Sequence, residues 1–450
     1  MKGVWGPRPS GVQGAEPLAF FPSSHYTPPR MQAATGFILV TITLDILSMS
    51  LAIPVLPPLI QHMAGGSAAA AAHAVGIFAT GWALMQFIFS PVQGALSDRF
   101  GRRPVILLSN LGLGLNGILM ALAPDLSWLF VGRIISGITA ASFSSATAYI
   151  ADITPPEKRA ARFGLVSVAF GFGFITGPVA GALLGAVNPR LPFWVAAGLS
   201  LTNFLFGLLV LPESLPPERR ARGSWRRANP VGALYLLRSR PGLGSLAVVQ
   251  LLGLLAQNAL PTITVLYAIN RYGFRIKQLS WLLGTMGVSS ALVGGLLTGP
   301  VVRLLGERRA LLTGLAFGAA GFAFMGTATT PLLLLLAIPV LALRGFADPA
   351  LSALMTRKVL PSEQGRLQGA SSSLVGIAGL FGPTIYTESY AFFATAHRGW
   401  NIPGMPFLIA GGLTAVAALL AGGRVGNPGV ELAATEDLIS DRSGHNPSTG

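Results

Sequence analysis

Cysteine is missing from the whole 450-residue chain, which excludes disulfides and thiolate metal sites. Charge is nearly as scarce. Asp, Glu, Lys and Arg make up 10% of the residues, against about 25% in a soluble domain, and a soluble fold cannot cover itself with so little. Acidic groups are the rarest, 16 against 31 Lys and Arg, for a net charge of +15. The five histidines, His25, His62, His73, His397 and His445, show no ligand spacing, so no bound metal is expected. There is no Walker-type phosphate loop, and the loops are too short for a nucleotide-binding domain, which argues against an ATP-driven pump. No catalytic residue set and no cofactor are expected.

What is present is apolar: 52% of residues are hydrophobic and the mean hydropathy is +0.62. A membrane helix needs about 20 such residues. Twelve windows qualify, near 32–60, 73–97, 104–124, 126–150, 160–187, 191–212, 243–268, 278–304, 308–328, 331–355, 366–391 and 404–422. The close pairs at 104–150 and 308–355 read as two helices each, because Pro124 and Pro331 remove a backbone donor and disfavour helical geometry in the preceding residue. The expected fold is all-α, a polytopic membrane protein with twelve transmembrane helices.

Arginines orient it. One set of loops carries Arg99, Arg102 and Arg103, then Lys158, Arg159 and Arg162, then Arg303, Arg308 and Arg309, then Arg357, Lys358 and Arg366. The opposite set holds Arg190 and Arg398, with Arg271, Arg275 and Lys277 as its exception. The Lys/Arg bias therefore places the first set and both termini in the cytoplasm of an inner-membrane protein. These loop arginines meet anionic lipid beside apolar spans, so nucleic acid is not an expected partner. A polar linker, 213–241, rich in arginine from Arg219 to Arg240, divides a six-helix half at 31–212 from another at 242–422. Gly101-Arg102-Arg103 is echoed by Gly306-Glu307-Arg308, and Gly177-Pro178 by Gly382-Pro383, the weak repeat expected of a secondary transporter. The stretches 1–30 and 423–450 read as disordered, and the first apolar run, starting after residue 30, is too long for a signal peptide.

Three strings carry more than topology. The first is Gly94-Ala95-Leu96-Ser97-Asp98-Arg99-Phe100-Gly101-Arg102-Arg103-Pro104, joining spans two and three. The second is Gly132-Arg133 with Gly137 and the run Ala148 to Thr154. The third is Gly171-Phe172-Gly173 through Gly177-Pro178-Val179-Ala180-Gly181. Together they resemble the major facilitator superfamily, and within it the drug/proton antiporters that include the tetracycline-efflux group. By residue chemistry alone, Gly94 and Gly101 permit close helix approach, and Asp98 can face an arginine or a helix N-terminus. The resemblance implies that Asp98, with Arg99, Arg102 and Arg103, latches a gate; the plainer reading is a solvated basic loop. Gly173, Gly177 and Gly181 offer a smooth helix face and Pro178 a bend, with Gly382 and Pro383 as counterparts. The resemblance adds that the fifth helix pivots at the interface of the halves.

Charges at membrane depth are costly and face a cavity or a partner. Asp45 stands midway in span one, in a string similar to the first helix of the tetracycline antiporters, where its carboxyl can gain and lose a proton as its surroundings change; the plainer reading bonds it to a neighbouring backbone or serine group. Arg133 is linked by the resemblance to proton coupling, with anchoring as the competitor. Glu388 in span eleven has no partner placed in its own helix and is a third coupling candidate. Arg344 and Asp348 lie four apart on one helical face and can neutralise each other. With them, Gln86, Asn116, Gln257, Asn258 and Tyr386 are the candidates for lining a substrate cavity, Gln257-Asn258 with Pro261 resembling a broken seventh helix that offers backbone groups to substrate. Two departures bear on selectivity: Asn116 and Gly318 stand where the tetracycline proteins carry aspartates. The expected function is proton-coupled export of a drug-like or amphipathic small molecule by a monomer in the bilayer; an importer or uniporter of a small metabolite is the alternative.

Overall fold

The computed structural model describes residues 29–139, 142–154, 156–220, 237, 242–359, 364–394 and 402–424. Most of the stretches read as disordered, and most of the arginine linker, lie outside the described residues, while 29–30 and 423–424 are helical instead. Those described are helical almost throughout. Eight stretches are long and apolar enough to cross a membrane, and Leu126–Thr139 and Gly171–Val187 are shorter apolar helices.

These resolve into the twelve expected spans. Span 1, Pro29–Leu51, is followed by the short helix Leu56–Met63, because Pro54 breaks the ladder between them while Pro57 fits the first turn of the second. Spans 2 and 3 are Ala68–Phe100 and Arg102–Leu122. Span 4 is Leu126–Thr139 followed by Ser142–Ile153, span 5 Pro156–Val187 and span 6 Leu191–Val210. Span 7 comprises Leu243–Gln257 and Ala259–Tyr272. The apolar stretch Ile276–Thr327 has 52 residues, about 78 Å as one helix against a hydrocarbon core of about 30 Å. It is two spans, 8 and 9, parted at Gly306, whose φ of 74° only glycine adopts freely. Span 10 runs from Pro331 to Arg357 with a 3₁₀ turn at Leu343–Phe346. Span 11, Gln364–Ala394, is long enough but falls outside the eight apolar stretches, since Ser371, Ser372, Ser373, Thr384, Thr387 and Glu388 dilute it. Span 12 is Met405–Arg424. The breaks expected before Pro124 and Pro331 are present.

The outside of this bundle is greasy. Leu209 and Leu304 are 83% and 84% exposed, as lipid-facing residues must be. Inside, the apolar core is divided in an informative way. At the end opposite the Asp98 and Glu307 loops, a single cluster joins both halves, from Val55, Val75 and Phe78 to Ile263, Tyr267 and Tyr390. At the basic end there are two clusters instead: Ile38, Ile106, Tyr149 and Ile150 on one side, Leu243, Leu311, Leu351 and Leu374 on the other. The halves are thus welded at one end and packed separately at the other.

Since the chain has no native cysteine, single cysteines at the exposed positions Pro104 and Pro189 should react with an impermeant thiol reagent from opposite sides of the membrane. Labelling of both from one side would contradict this topology.

Candidate functional site

At the basic end Gly101 turns the chain between spans 2 and 3 with φ 107°. A Cβ there would run into the Glu213 carboxylate, so glycine is required both by the backbone and by what lies against it. Glu213, just past span 6, accepts from the backbone N–H of Arg102 at 2.9 Å and of Arg103 at 3.3 Å, placing a negative charge on the N-terminus of span 3. Arg102 is held between two acids: its Nη1 donates to Asp98 at 2.5 Å and its Nε to Asp152 at 3.0 Å. Arg103 donates to the Leu208 carbonyl at 2.6 Å, and Arg99 lies over the Phe100 ring at 5.3 Å. Asp98 therefore faces an arginine, as anticipated. Asp152 and Glu213 were missed as partners; the signal for Glu213 was an acid directly after the proline, Pro212, that follows a span. Gly94 is corrected: a Cβ there would meet nothing within 4 Å, so it makes no close helix contact in this conformation.

The glycine face of span 5 packs tightly, as its small residues suggest, but within its own half. A Cβ at Gly173 would press on Ile46, one at Gly177 on Ser50 and one at Gly181 on the Leu51 carbonyl. Those are residues of span 1, so these glycines seat span 1 within its own half, where Ser50 Oγ also donates to the Gly173 carbonyl at 2.9 Å. Between halves the small residues are on span 8: Gly287 receives Ile175 and Gly284 receives Val179. Pro178 and Pro383 both lie within continuous helices. Gly382 receives Asn258 of span 7, whereas the contact of span 11 with span 2 uses Gly376 against Phe87 and Gly379 against Ala83, with Gly76 against Thr387.

Polar contacts follow the same seam. Thr80 and Thr384 hydroxyls are 2.9 Å apart, and His73 Nδ1 lies 2.6 Å from Glu388 Oε1, both side chains half exposed. Gln61 Nε2 donates to Asn270 Oδ1 at 3.0 Å. Glu388 thus has its partner on the other half.

Asp45 sits among amides. Asn203 Nδ2 donates to its Oδ1 at 2.9 Å. With the Asn110 amide turned so that both its atoms are satisfied, its nitrogen donates to Asp45 Oδ1 at 2.8 Å and its oxygen accepts from Asn203 at 3.1 Å. Spans 1, 3 and 6 are tied here through the amides of Asn110 and Asn203. Arg133 is held elsewhere: its guanidinium lies over Trp82 of span 2 at 5.3 Å.

In the second half Arg344 is only 6% exposed. It donates to Asp348 at 3.2 Å, to Gln257 Oε1 at 3.3 Å and to the Gly253 carbonyl at 3.0 Å. The self-neutralising pair is real, and Gln257 joins it. These three residues line a cavity of about 200 Å³ with Met286, Phe322 and Leu341, an apolar wall with one ion pair. Gly318 stands against the stem of Arg344, 3.0 Å from where its Cβ would be. Without a carboxylate at 318, Arg344 takes Asp348 from its own span.

Other cavity candidates do not line it. Tyr386 is fully buried and donates to the Leu255 carbonyl at 3.0 Å; Asn258 donates to the Leu254 carbonyl at 2.9 Å. The carbonyls expected to face substrate at the span 7 break are thus used by Tyr386 and Arg344. Asn116 is buried against Gly132, its Nδ2 3.8 Å from Met120 Sδ. Gln86 is half-buried on span 2, beside Phe87.

Comparison with known proteins agrees over most of the chain. A model of the Major Facilitator Superfamily matches residues 38–383. The class C tetracycline resistance protein of Escherichia coli is 38% identical over 374 residues, 83% of this chain and 94% of that protein. Multidrug resistance protein 2 of Bacillus subtilis (strain 168) is 29% identical over 385 residues, 84% and 94% of the two chains. The crystal structure of the human organic anion transporter MFSD10 superposes with a TM-score of 0.66 at 24% identity, covering 88% of this chain and 100% of that one.

If Glu213 holds the span 2 to span 3 turn, Glu213→Gln should destabilise the protein by about 1–2 kcal/mol, the worth of a charge on a helix terminus with its hydrogen bonds. Unfolding of the purified protein in detergent measures it. An unchanged midpoint would mean that the turn stands without the carboxylate.

Proposed function

The chain belongs to the major facilitator superfamily, and from that premise we propose that it is a secondary active exporter that exchanges protons for a drug-like, amphipathic small molecule. The observation that carries alternating exchange is the divided core, one apolar cluster across both halves at one end and two separate clusters at the basic end. With the basic loops in the cytoplasm, this is the conformation closed to the outside. The halves are 31–212 and 242–422, joined by the linker 213–241, and both termini are cytoplasmic. Export is supported by the relatives, which are resistance proteins; an importer has no such support.

Asp98, Arg102 and Asp152 form the gate. In this conformation they are occupied with each other within one half, leaving the cytoplasmic end free to part. The second-half cavity of Gln257, Arg344 and Asp348 takes the substrate's polar end, and Phe322 and Met286 its apolar body. Asp45 carries the proton, with Arg133 serving the coupling through its contact with span 2. Hydrogen-bonded to spans 3 and 6 when charged, the Asp45 carboxyl loses one accepting site when protonated, so proton binding changes how three spans are tied.

Asp45→Asn should fold and still exchange substrate for substrate, yet fail to concentrate it. Uphill accumulation with wild-type pH dependence in the mutant would transfer the coupling role to Glu388. With Asn116 and Gly318 in place of family carboxylates, a resistance panel in an efflux-deficient host should show protection that is not centred on tetracycline. Strong resistance to tetracycline alone would contradict this substrate class.

A further inference from the structure

Beyond transport, the internal repeat exposes a second site. Gly306, φ 74° and ψ 160°, repeats the turn of Gly101, φ 107° and ψ 159°. The bridge beside it is repeated with its charges exchanged. In the first half Arg102 of the turn pairs with Asp152 at the end of span 4; in the second, Glu307 of the turn pairs with Arg357 at the end of span 10, at 2.7 Å. The two turns differ in what faces them. At Gly101 the Glu213 carboxylate lies against the glycine and accepts from the following amides. At Gly306 a Cβ would meet nothing within 4 Å, and the turn opens on a cavity of about 780 Å³ lined by Arg303, Arg308, Arg309 and Arg357 with Glu307 as its carboxylate.

Four guanidiniums to one carboxylate is a strong local excess. Among the described residues, Arg357 is taken by Glu307 and Arg308 reaches the Gly422 carbonyl at 3.3 Å, while Arg303 and Arg309 have no carboxylate partner. Guanidiniums match phosphoryl oxygens in bidentate geometry. The remaining wall is apolar, with Leu305 and Leu354 lining the cavity and Leu304, 84% exposed, on the lipid-facing side of the same helix end. A cavity of this volume suits a small molecule rather than a single ion, and its position at the basic membrane face puts it at headgroup depth. We propose that the junction of spans 8, 9 and 10 is a binding site for the phosphoryl headgroup of an anionic phospholipid, held by Arg303, Arg308 and Arg309 with its chain along Leu305 and Leu354. At the first turn the chain supplies its own anion, Glu213; the second takes one from the membrane, and occupancy braces the span 8 to span 9 turn.

The test is thermal unfolding of the full chain in detergent with added phosphatidylglycerol, phosphatidylcholine or inorganic phosphate. Phosphatidylglycerol should raise Tm saturably, and phosphatidylcholine and inorganic phosphate should not. The exposed double variant Arg303→Gln/Arg309→Gln should weaken the apparent affinity about tenfold or more, while Arg271→Gln/Lys277→Gln, which removes equal charge at the other face, should retain it. A full shift in the Arg303/Arg309 variant, or equal loss in the control, overturns the site. Equal stabilisation by inorganic phosphate overturns the lipid assignment, and by phosphatidylcholine the reading of charge. Lipid binding is read without transport, so failure here leaves the exporter reading standing.

Discussion

Lipid removes the usual reason for helices to associate, because tails are as apolar as leucine; what remains is close fit and paired polar groups. Everything in this molecule follows from where the backbones can approach. Gly117 against Ala197, Gly314 against Ala347 and Gly321 against Leu341 build each half from contacts that leave no space for a side chain. The same device is used between halves, but with side chains entering glycine notches: Phe87 at Gly376 and Ile175 at Gly287. These contacts lie between the bundles, so such a seam can part without breaking either.

Charge follows the same economy. Arg344 is buried and donates to Asp348, Gln257 and a backbone carbonyl, since a buried guanidinium without acceptors would be costly. Asp45 meets Asn203 and Asn110 for the same reason. At the basic end the turn after span 2 is closed by the chain's own acids, whereas its repeat after span 8 is dominated by arginine. The two halves share a backbone plan and differ in electrostatics, which gives a transporter built by repetition one end of each half to specialise.

Much of the fold was legible because the bilayer imposes it: span length, proline breaks and arginine loops read directly from the residues. The Gly94 to Pro104 string also announced its own chemistry, since an arginine four residues after Asp98 is within reach of it. Packing partners were less legible. Span 5 does lie between the halves, through Ile175 and Val179 against span 8, but its glycine stripe records only that some backbone is near, and here that backbone is span 1. Tyr386 and Asn116 looked like cavity residues because they are polar in apolar spans, yet their partners are the Leu255 carbonyl and Met120, distant or featureless in sequence. Glu213 and His73 were hidden for the same reason: each acts across a long stretch of chain.

The account turns on exchange of protons for substrate through a seam that opens at alternate ends. Accumulation of an amphipathic drug by inverted membrane vesicles containing the wild-type chain, with and without an imposed pH gradient acid inside, tests that most directly. Concentrative uptake should appear with the gradient and collapse to equilibration when a protonophore removes it. Equal accumulation with the gradient absent would contradict the proposed mechanism.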